Sequence, residues 1–199
     1  MSAAKSELGQ LPLLGRGYEP EKEMDTPLIM GIDPGLSGAI SVVEIDSGTL
    51  IDMIDMPTYK TPTKSRKSGH FEHVDPHQLS SLLDMYAGLT SLAVIEEPGA
   101  MPRQGLSSTF RFGHVCGLIH GILAGHYVPV IPVKPAVWKG AFGLSPDKDE
   151  SIAMATDEYE GFQWLWTLKK HNDRAEAALL ASYGLKYLRS LVDFNRNTP

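Results

Sequence analysis

Cysteine is almost absent from the chain, because Cys116 is the only one among 199 residues. An internal disulfide is therefore impossible, and a cysteine-based zinc site is excluded. No apolar run is long enough to span a bilayer, and the first residues lack the basic and apolar segments of a secretory signal. These absences predict a protein that has no membrane partner and works in a reducing compartment, for which we expect the cytoplasm.

Basic residues are also scarce, since 18 lysines and arginines face 24 acids and the formal net charge is −6. Taken alone, this argues against a nucleic-acid partner, because phosphate binding is mostly an effect of lysine and arginine. Carboxylates that surround divalent cations nevertheless lower the formal charge without repelling DNA once the metal is bound. The basic residues are also clustered in "TYKTPTKSRKSGH" (58–70), which has no acid and offers Lys60, Lys64, Arg66 and Lys67 as phosphate contacts.

The order of apolar runs predicts one α/β domain at 27–199, preceded by a leader at 1–26 without sustained periodicity. Three short runs separated by turn residues predict an antiparallel meander, and two later runs predict further strands of a roughly five-stranded mixed sheet. Apolar residues at helical spacing predict long helices that flank this sheet. The strands are expected at 27–33, 39–46, 50–57, 91–97 and 127–133, the main helices at 75–88, 105–126 and 172–192, and a polar loop at 58–70.

Acids stand at three places where a core would not favour them. Asp33 ends the first apolar run, directly before Pro34-Gly35, and Glu96 ends the fourth run in "AVIEEP". Asp173 and Glu176 lie three residues apart in the first turn of the last helix, so both face the same side. Burying a carboxylate at the end of a core strand is costly unless a cation meets it.

In a sheet of this order we expect the first and fourth predicted strands to lie side by side and the last helix to pack over them, so that these acids can converge on one point. Four converging carboxylates require divalent cations, and oxygen-only ligation favours Mg²⁺, with Mn²⁺ as a substitute. Two such ions about 4 Å apart would activate a water and stabilise the leaving oxygen of a phosphodiester. The plainer interpretations are a turn residue for Asp33 and a helix-start acid for Asp173, with Glu97 as an alternative to Glu96.

"GIDPGLSGA", "AVIEEP" and "DRAEAALLA", in this order, resemble the RuvC-type Holliday-junction resolvases (crossover junction endodeoxyribonucleases), in particular the RuvC-like branch of phages, bacteria and plastids. The resemblance spans about 27–191. It implies a ribonuclease-H-like fold and a homodimer that cuts four-way DNA junctions symmetrically. It also implies that the catalytic and metal-binding residues, which share two ions, are Asp33, Glu96, Asp173 and Glu176.

Further roles follow from the same resemblance. "WKGAFGLSPDK" resembles a family stretch with lysines near the scissile phosphate, which implies catalytic roles for Lys139 and Lys148 and a DNA contact at Lys134. "PGAMPRQG" stands where family members probe the open centre of the junction. Met101 would there be an apolar wedge between bases, with Arg103 and Gln104 beside it, although plain loop packing is the alternative for Met101.

Other functions stay open beside this one. A flap or broader structure-selective nuclease would use the same fold, and a non-catalytic junction-binding protein would be expected to lose at least one acid. A sugar kinase or Hsp70-like ATPase shares the Gly-Ile-Asp-x-Gly loop but needs a second domain, for which the chain has no room. Glycines at four-residue spacing in the helix at 105–126 predict close packing, either in a dimer or against the sheet: Gly113, Gly117, Gly121 and Gly125.

Overall fold

The computed structural model describes residues 26–65, 67–97, 99, 105–145 and 148–197, without the side chains of 148 and 189–197. Its main feature is a five-stranded mixed sheet with the strand order β3-β2-β1-β6-β7. The strands of this sheet are β1 (Leu28–Asp33), β2 (Ala39–Glu44), β3 (Leu50–Asp55), β6 (Thr90–Glu96) and β7 (Val130–Val133). The leader predicted at 1–26 lies, apart from Thr26, outside the described residues.

The pairing of the strands confirms the predicted meander and its parallel additions. β1 is antiparallel to β2, with Asp33 opposite Ala39, and β2 is antiparallel to β3. β6 is parallel to both β1 and β7. The first and fourth predicted strands are therefore direct neighbours, and their carboxyl ends, at Asp33 and Glu96, lie at the same edge of the sheet.

Helices cover both faces of the sheet. Alternation along β1 directs Leu28, Met30 and Ile32 into a core with α1 (Pro76–Ala87) and α2 (Leu106–Gly125). Ile29 packs on the opposite face, against α5. The remaining α-helices are α3 (Pro135–Ala141), α4 (Lys148–Glu158) and α5 (Asn172–Asn197), which extends beyond the predicted end at 192. Two short 3-10 helices, Gln163–Trp166 and Lys169–His171, precede α5. None of the described helices is long and apolar enough to cross a lipid bilayer.

The prediction of a polar loop at 58–70 was wrong in part, because strands β4 (Thr58–Pro62) and β5 (His70–Val74) form a separate antiparallel hairpin. The rings of Tyr59 and His73 stack across the two strands with their centroids 5.2 Å apart. Thr61 Oγ1 lies 2.9 Å from His73 Nε2. Cross-strand pairs of this kind join residues that are distant in sequence, so the polar composition of the segment concealed them.

Candidate active-site cleft

The last helix reaches the acidic edge of the sheet because β1 carries a glycine at the contact. A Cβ atom on Gly31 would lie 2.1 Å from the carbonyl oxygen of Ala177 and 2.4 Å from the amide nitrogen of Ala181. The fully buried Ser41 donates a hydrogen bond to the same Ala177 carbonyl at 2.8 Å. Only glycine lets the helix backbone lie this close to the strand. The first turn of α5 is thereby placed beside the end of β1.

Three of the four predicted acids meet at this point. Oxygen atoms of Asp33, Asp173 and Glu176 all lie within 4.8 Å of one another. Glu96 is outside that group but lines the same cleft of about 700 Å³, together with Lys139. Asp33 and Asp173 are half-buried, and Glu176 is only 6% exposed. The structure thus brings together carboxylates that are up to 143 positions apart in the chain, counted from Asp33 to Glu176.

Two donors hold the most buried acid. Lys139 Nζ donates to Glu176 Oε1 at 2.8 Å, and Ser151 Oγ donates to the same oxygen at 3.2 Å. A buried carboxylate without such partners would cost several kcal/mol. The oxygen-only donor set, with no histidine or cysteine in the group, therefore fits a hard divalent cation such as Mg²⁺ or Mn²⁺.

The orientation of Glu96 depends on a tryptophan that the sequence analysis missed. The indole nitrogen of Trp138 donates to Glu96 Oε2 at 2.8 Å, and the Trp138 side chain is fully buried in α3. Glu97 lies beyond the end of β6, and its side chain is exposed. Glu97 is absent from the described lining of the cleft, which favours Glu96 as the functional acid of the pair.

A second unpredicted contact fixes the start of α5. Arg174 Nε donates to Asp55 Oδ1 at 2.6 Å and Arg174 Nη2 donates to Asp55 Oδ2 at 2.5 Å, while Nη1 donates to the Leu165 carbonyl at 2.9 Å. The hydrogen bond from Arg174 holds the pKa of Asp55 below its usual value. This bidentate pair links the end of β3 to the helix turn that carries Asp173.

The acids at the edge of the sheet also affect the pKa of a cysteine in α2, on the other face of the sheet. Burial in α2 raises the pKa of the Cys116 thiol to about 11, and the negative charges of Glu97, Asp33 and Glu96 add to this effect. The thiol is therefore protonated at neutral pH.

Two solved structures of the RuvC protein from Thermus thermophilus share this architecture. The structure of T. thermophilus RuvC in complex with a Holliday junction substrate aligns with a TM-score of 0.55 at 18% sequence identity, over 81% of this chain and 96% of that one. A second T. thermophilus RuvC structure aligns with a TM-score of 0.50 at 15% identity, over 80% and 96%. The chain has the fold of RuvC. No family model matches the sequence, and no curated protein matches it.

The RuvC fold is ribonuclease-H-like, so the predicted fold class is confirmed. The basic residues expected to contact DNA are placed only in part. Lys60 is exposed on β4, Lys64 and Lys67 are exposed in the turn after it, and Lys134 is exposed at the start of α3. Four other candidates lie outside the described residues: Arg66, Met101, Arg103 and Gln104. The side chain of Lys148, a predicted catalytic lysine, also lies outside them. All of these DNA contacts stay predictions.

Proposed function

We propose that the protein is a metal-dependent endonuclease that resolves four-way (Holliday) DNA junctions by symmetric phosphodiester hydrolysis as a homodimer. The observation that carries the proposal is the group of three carboxylates, all within 4.8 Å, at the carboxyl end of β1 in a RuvC fold. One of the two similar RuvC structures is a complex with a Holliday junction substrate. The shared fold supports the same substrate class for this chain.

In this proposal Asp33, Asp173 and Glu176, together with Glu96, hold two Mg²⁺ or Mn²⁺ ions. Ions bound there would supply a water nucleophile at neutral pH and neutralise charge on the phosphate. Lys139 orients Glu176 through its 2.8 Å contact and adds positive charge to the cleft. Lys148, the first residue of α4, is proposed to approach the same phosphate.

An exposed uncharged face of α2 supports the homodimer. Leu106 is 91% exposed and Phe110 is 78% exposed at the start of this face. The face continues along four glycines, and a Cβ atom added to any of them would meet nothing within 4 Å: Gly113, Gly117, Gly121 and Gly125. These glycines therefore do not contact the sheet, so the predicted alternative of close packing against the sheet was wrong. Large apolar side chains that are exposed together in this way often mark a protein–protein interface. Two copies of α2 packed about a two-fold axis would cover the face and place two identical sites on a symmetric junction.

The test is cleavage of a labelled four-way junction in Mg²⁺ by wild type, by Asp33→Asn and by a matched control, Asp46→Asn, which changes an exposed acid in the turn after β2. We expect paired symmetric nicks from wild type and from the control, and none from Asp33→Asn. The oligomeric state is measured in the same preparations, and we expect a dimer.

Linear duplex and flap substrates are run in parallel. Cutting of flaps as fast as junctions would replace the junction resolvase with a broader structure-selective nuclease. Junction binding without cleavage, in both Mg²⁺ and Mn²⁺, would contradict the catalytic role of the acids and leave a binding protein.

A further inference from the structure

A second groove, of about 410 Å³, lies next to the active-site cleft. Its walls come from the hairpin β4–β5, the start of α1 and the first half of α2. Gly35, in the turn between β1 and β2, lines both the groove and the cleft. A polymeric ligand with one unit bound in the cleft could therefore cross this turn and place its next unit in the groove.

The lining of the groove combines aromatic rings with a cation. Tyr59 is 44% exposed and is stacked on His73, with 24° between the ring planes. Phe112 and the exposed Leu36 add apolar surface, and Arg111 supplies a guanidinium group from α2. Bases of single-stranded nucleic acids are bound by such stacking surfaces beside positive charge, because every base presents a π-face.

We propose that this groove receives an unpaired nucleobase of the DNA strand whose phosphate lies in the acidic cleft. The inference rests on the proposed nuclease function and adds a nucleotide-binding site to it. The unpaired base would stack on Tyr59, and Arg111 would contact the adjoining phosphate. Bases at the point of strand exchange in a branched junction can unstack at a lower cost than bases within a duplex.

The charges around the groove favour a nucleotide over an apolar peptide. Arg111 is the only lysine or arginine among the described residues of the lining, and the hairpin carries exposed lysines at positions 60, 64 and 67. Glu72 is the only acid among the described residues of the lining, and its Oε1 accepts a hydrogen bond from Thr58 Oγ1 at 3.0 Å. A purely hydrophobic partner would gain nothing from the guanidinium group of Arg111.

The test uses four-way junctions that carry 2-aminopurine, a fluorescent base, at successive positions around the cleavage site, mixed with protein in EDTA. In wild type we expect a fluorescence change on binding at one or two positions beside the scissile phosphate. Tyr59→Ala should abolish that change and weaken junction binding at least about fivefold, since stacking of one base contributes about 1–3 kcal/mol. Tyr59→Phe keeps a stacking ring and should behave like wild type.

Two further variants separate a local effect from damage to the fold. Arg111→Met removes charge from the opposite wall, without touching the hairpin, and should weaken binding to the same junctions. Trp164→Ala removes another exposed aromatic residue, which lies against the β3 edge away from the groove, and should leave both readouts unchanged.

The outcomes are distinguishable. If wild type cleaves junctions but no position responds to Tyr59→Ala and Arg111→Met, the groove does not take a base and only the nuclease function stands. If wild type neither binds nor cleaves junctions, the proposed function fails and this inference fails with it. A change of oligomeric state in Tyr59→Ala, without a change at any labelled base, would instead assign the groove to a second copy of the chain and overturn the inference.

Discussion

Gly31 of β1 lies directly under Ala177 of α5, so close that a Cβ atom on Gly31 would stand 2.1 Å from the Ala177 carbonyl oxygen. This contact sets how near the last helix comes to the sheet. Since Asp173 and Glu176 are carried by the turn just before Ala177, it also sets how near they come to Asp33. Stability and the geometry of the acidic group therefore depend on the same glycine.

Gly31→Ala should push α5 away from β1 and separate the acids. Forcing a methyl group into such a contact costs at least about 1–3 kcal/mol of unfolding free energy, measurable by denaturant or thermal unfolding. We also expect weaker Mg²⁺ binding by calorimetry. Gly88→Ala is the matched control, because Gly88 has a φ of −63° and open space where its Cβ would be. Equal stability of the two variants would contradict the close-packing argument.

Trp138→Phe removes the hydrogen bond that orients Glu96 but keeps an aromatic ring in the core. If Glu96 works in the cleft, the Mg²⁺ concentration needed for half-maximal cleavage should rise about 10- to 100-fold, as for other residues that orient metal ligands. The matched control is Trp166→Phe, since the buried Trp166 donates its indole N–H to Thr156 at 3.1 Å, outside the cleft. A Mg²⁺ dependence that moves equally in both variants would argue against an orienting role.

The Asp55–Arg174 pair predicts a pH dependence of stability. Its hydrogen bond lowers the pKa of Asp55 in the folded state. A lowered folded-state pKa adds stability above the unfolded value of about 3.9 and loses it as the pH falls through the folded value. Between about pH 5 and 2, unfolding free energy should therefore fall less steeply in Asp55→Asn than in wild type.

A variant of Arg174, the other residue of the pair, tests whether Asp55 causes this pH dependence. Arg174→Met should flatten the same part of the pH profile, and the double variant should not flatten it further, because both changes remove one interaction. Fully additive effects of the two substitutions would contradict a direct pair.

Cys116 should react slowly with alkylating reagents in the folded protein. Its pKa of about 11 leaves almost no thiolate near neutral pH. Alkylation by iodoacetamide at pH 8, followed by mass spectrometry, should be at least about tenfold slower than in protein unfolded by urea. Mg²⁺ should lower this pKa and speed the reaction, because Asp33 and Glu96 contribute to the shift. Fast alkylation of the folded protein would contradict the burial of the thiol.

The sequence could indicate the three acids that the structure brings together, because each stands out locally. Asp33 interrupts an apolar strand pattern, and Asp173 and Glu176 share a helix face by their spacing alone. Trp138, Ser151 and Arg174 gave no such signal. A tryptophan, a serine and an arginine on a helix are ordinary in composition, and their partners lie 42, 25 and 119 positions away.

The hairpin β4–β5 was missed for a related reason, since its lysines give the segment the composition of a loop. Its strands are held by pairs such as Tyr59 with His73, which become visible only once the chain folds back. The groove beside it likewise combines elements that are separate in sequence, namely the turn after β1, the hairpin, α1 and α2.

Alternating and helical apolar patterns, read with the turn residues, determined the five strands of the main sheet, the main helices and the mixed order of that sheet. They could do so because burial of apolar side chains follows the local period of the backbone. Only the tertiary structure decided how close the acids lie, which donors hold them, and that a second groove shares Gly35 with the cleft. Distances between side chains far apart in sequence are set by packing. At Gly31 the absence of a side chain permits the close approach of α5 to β1.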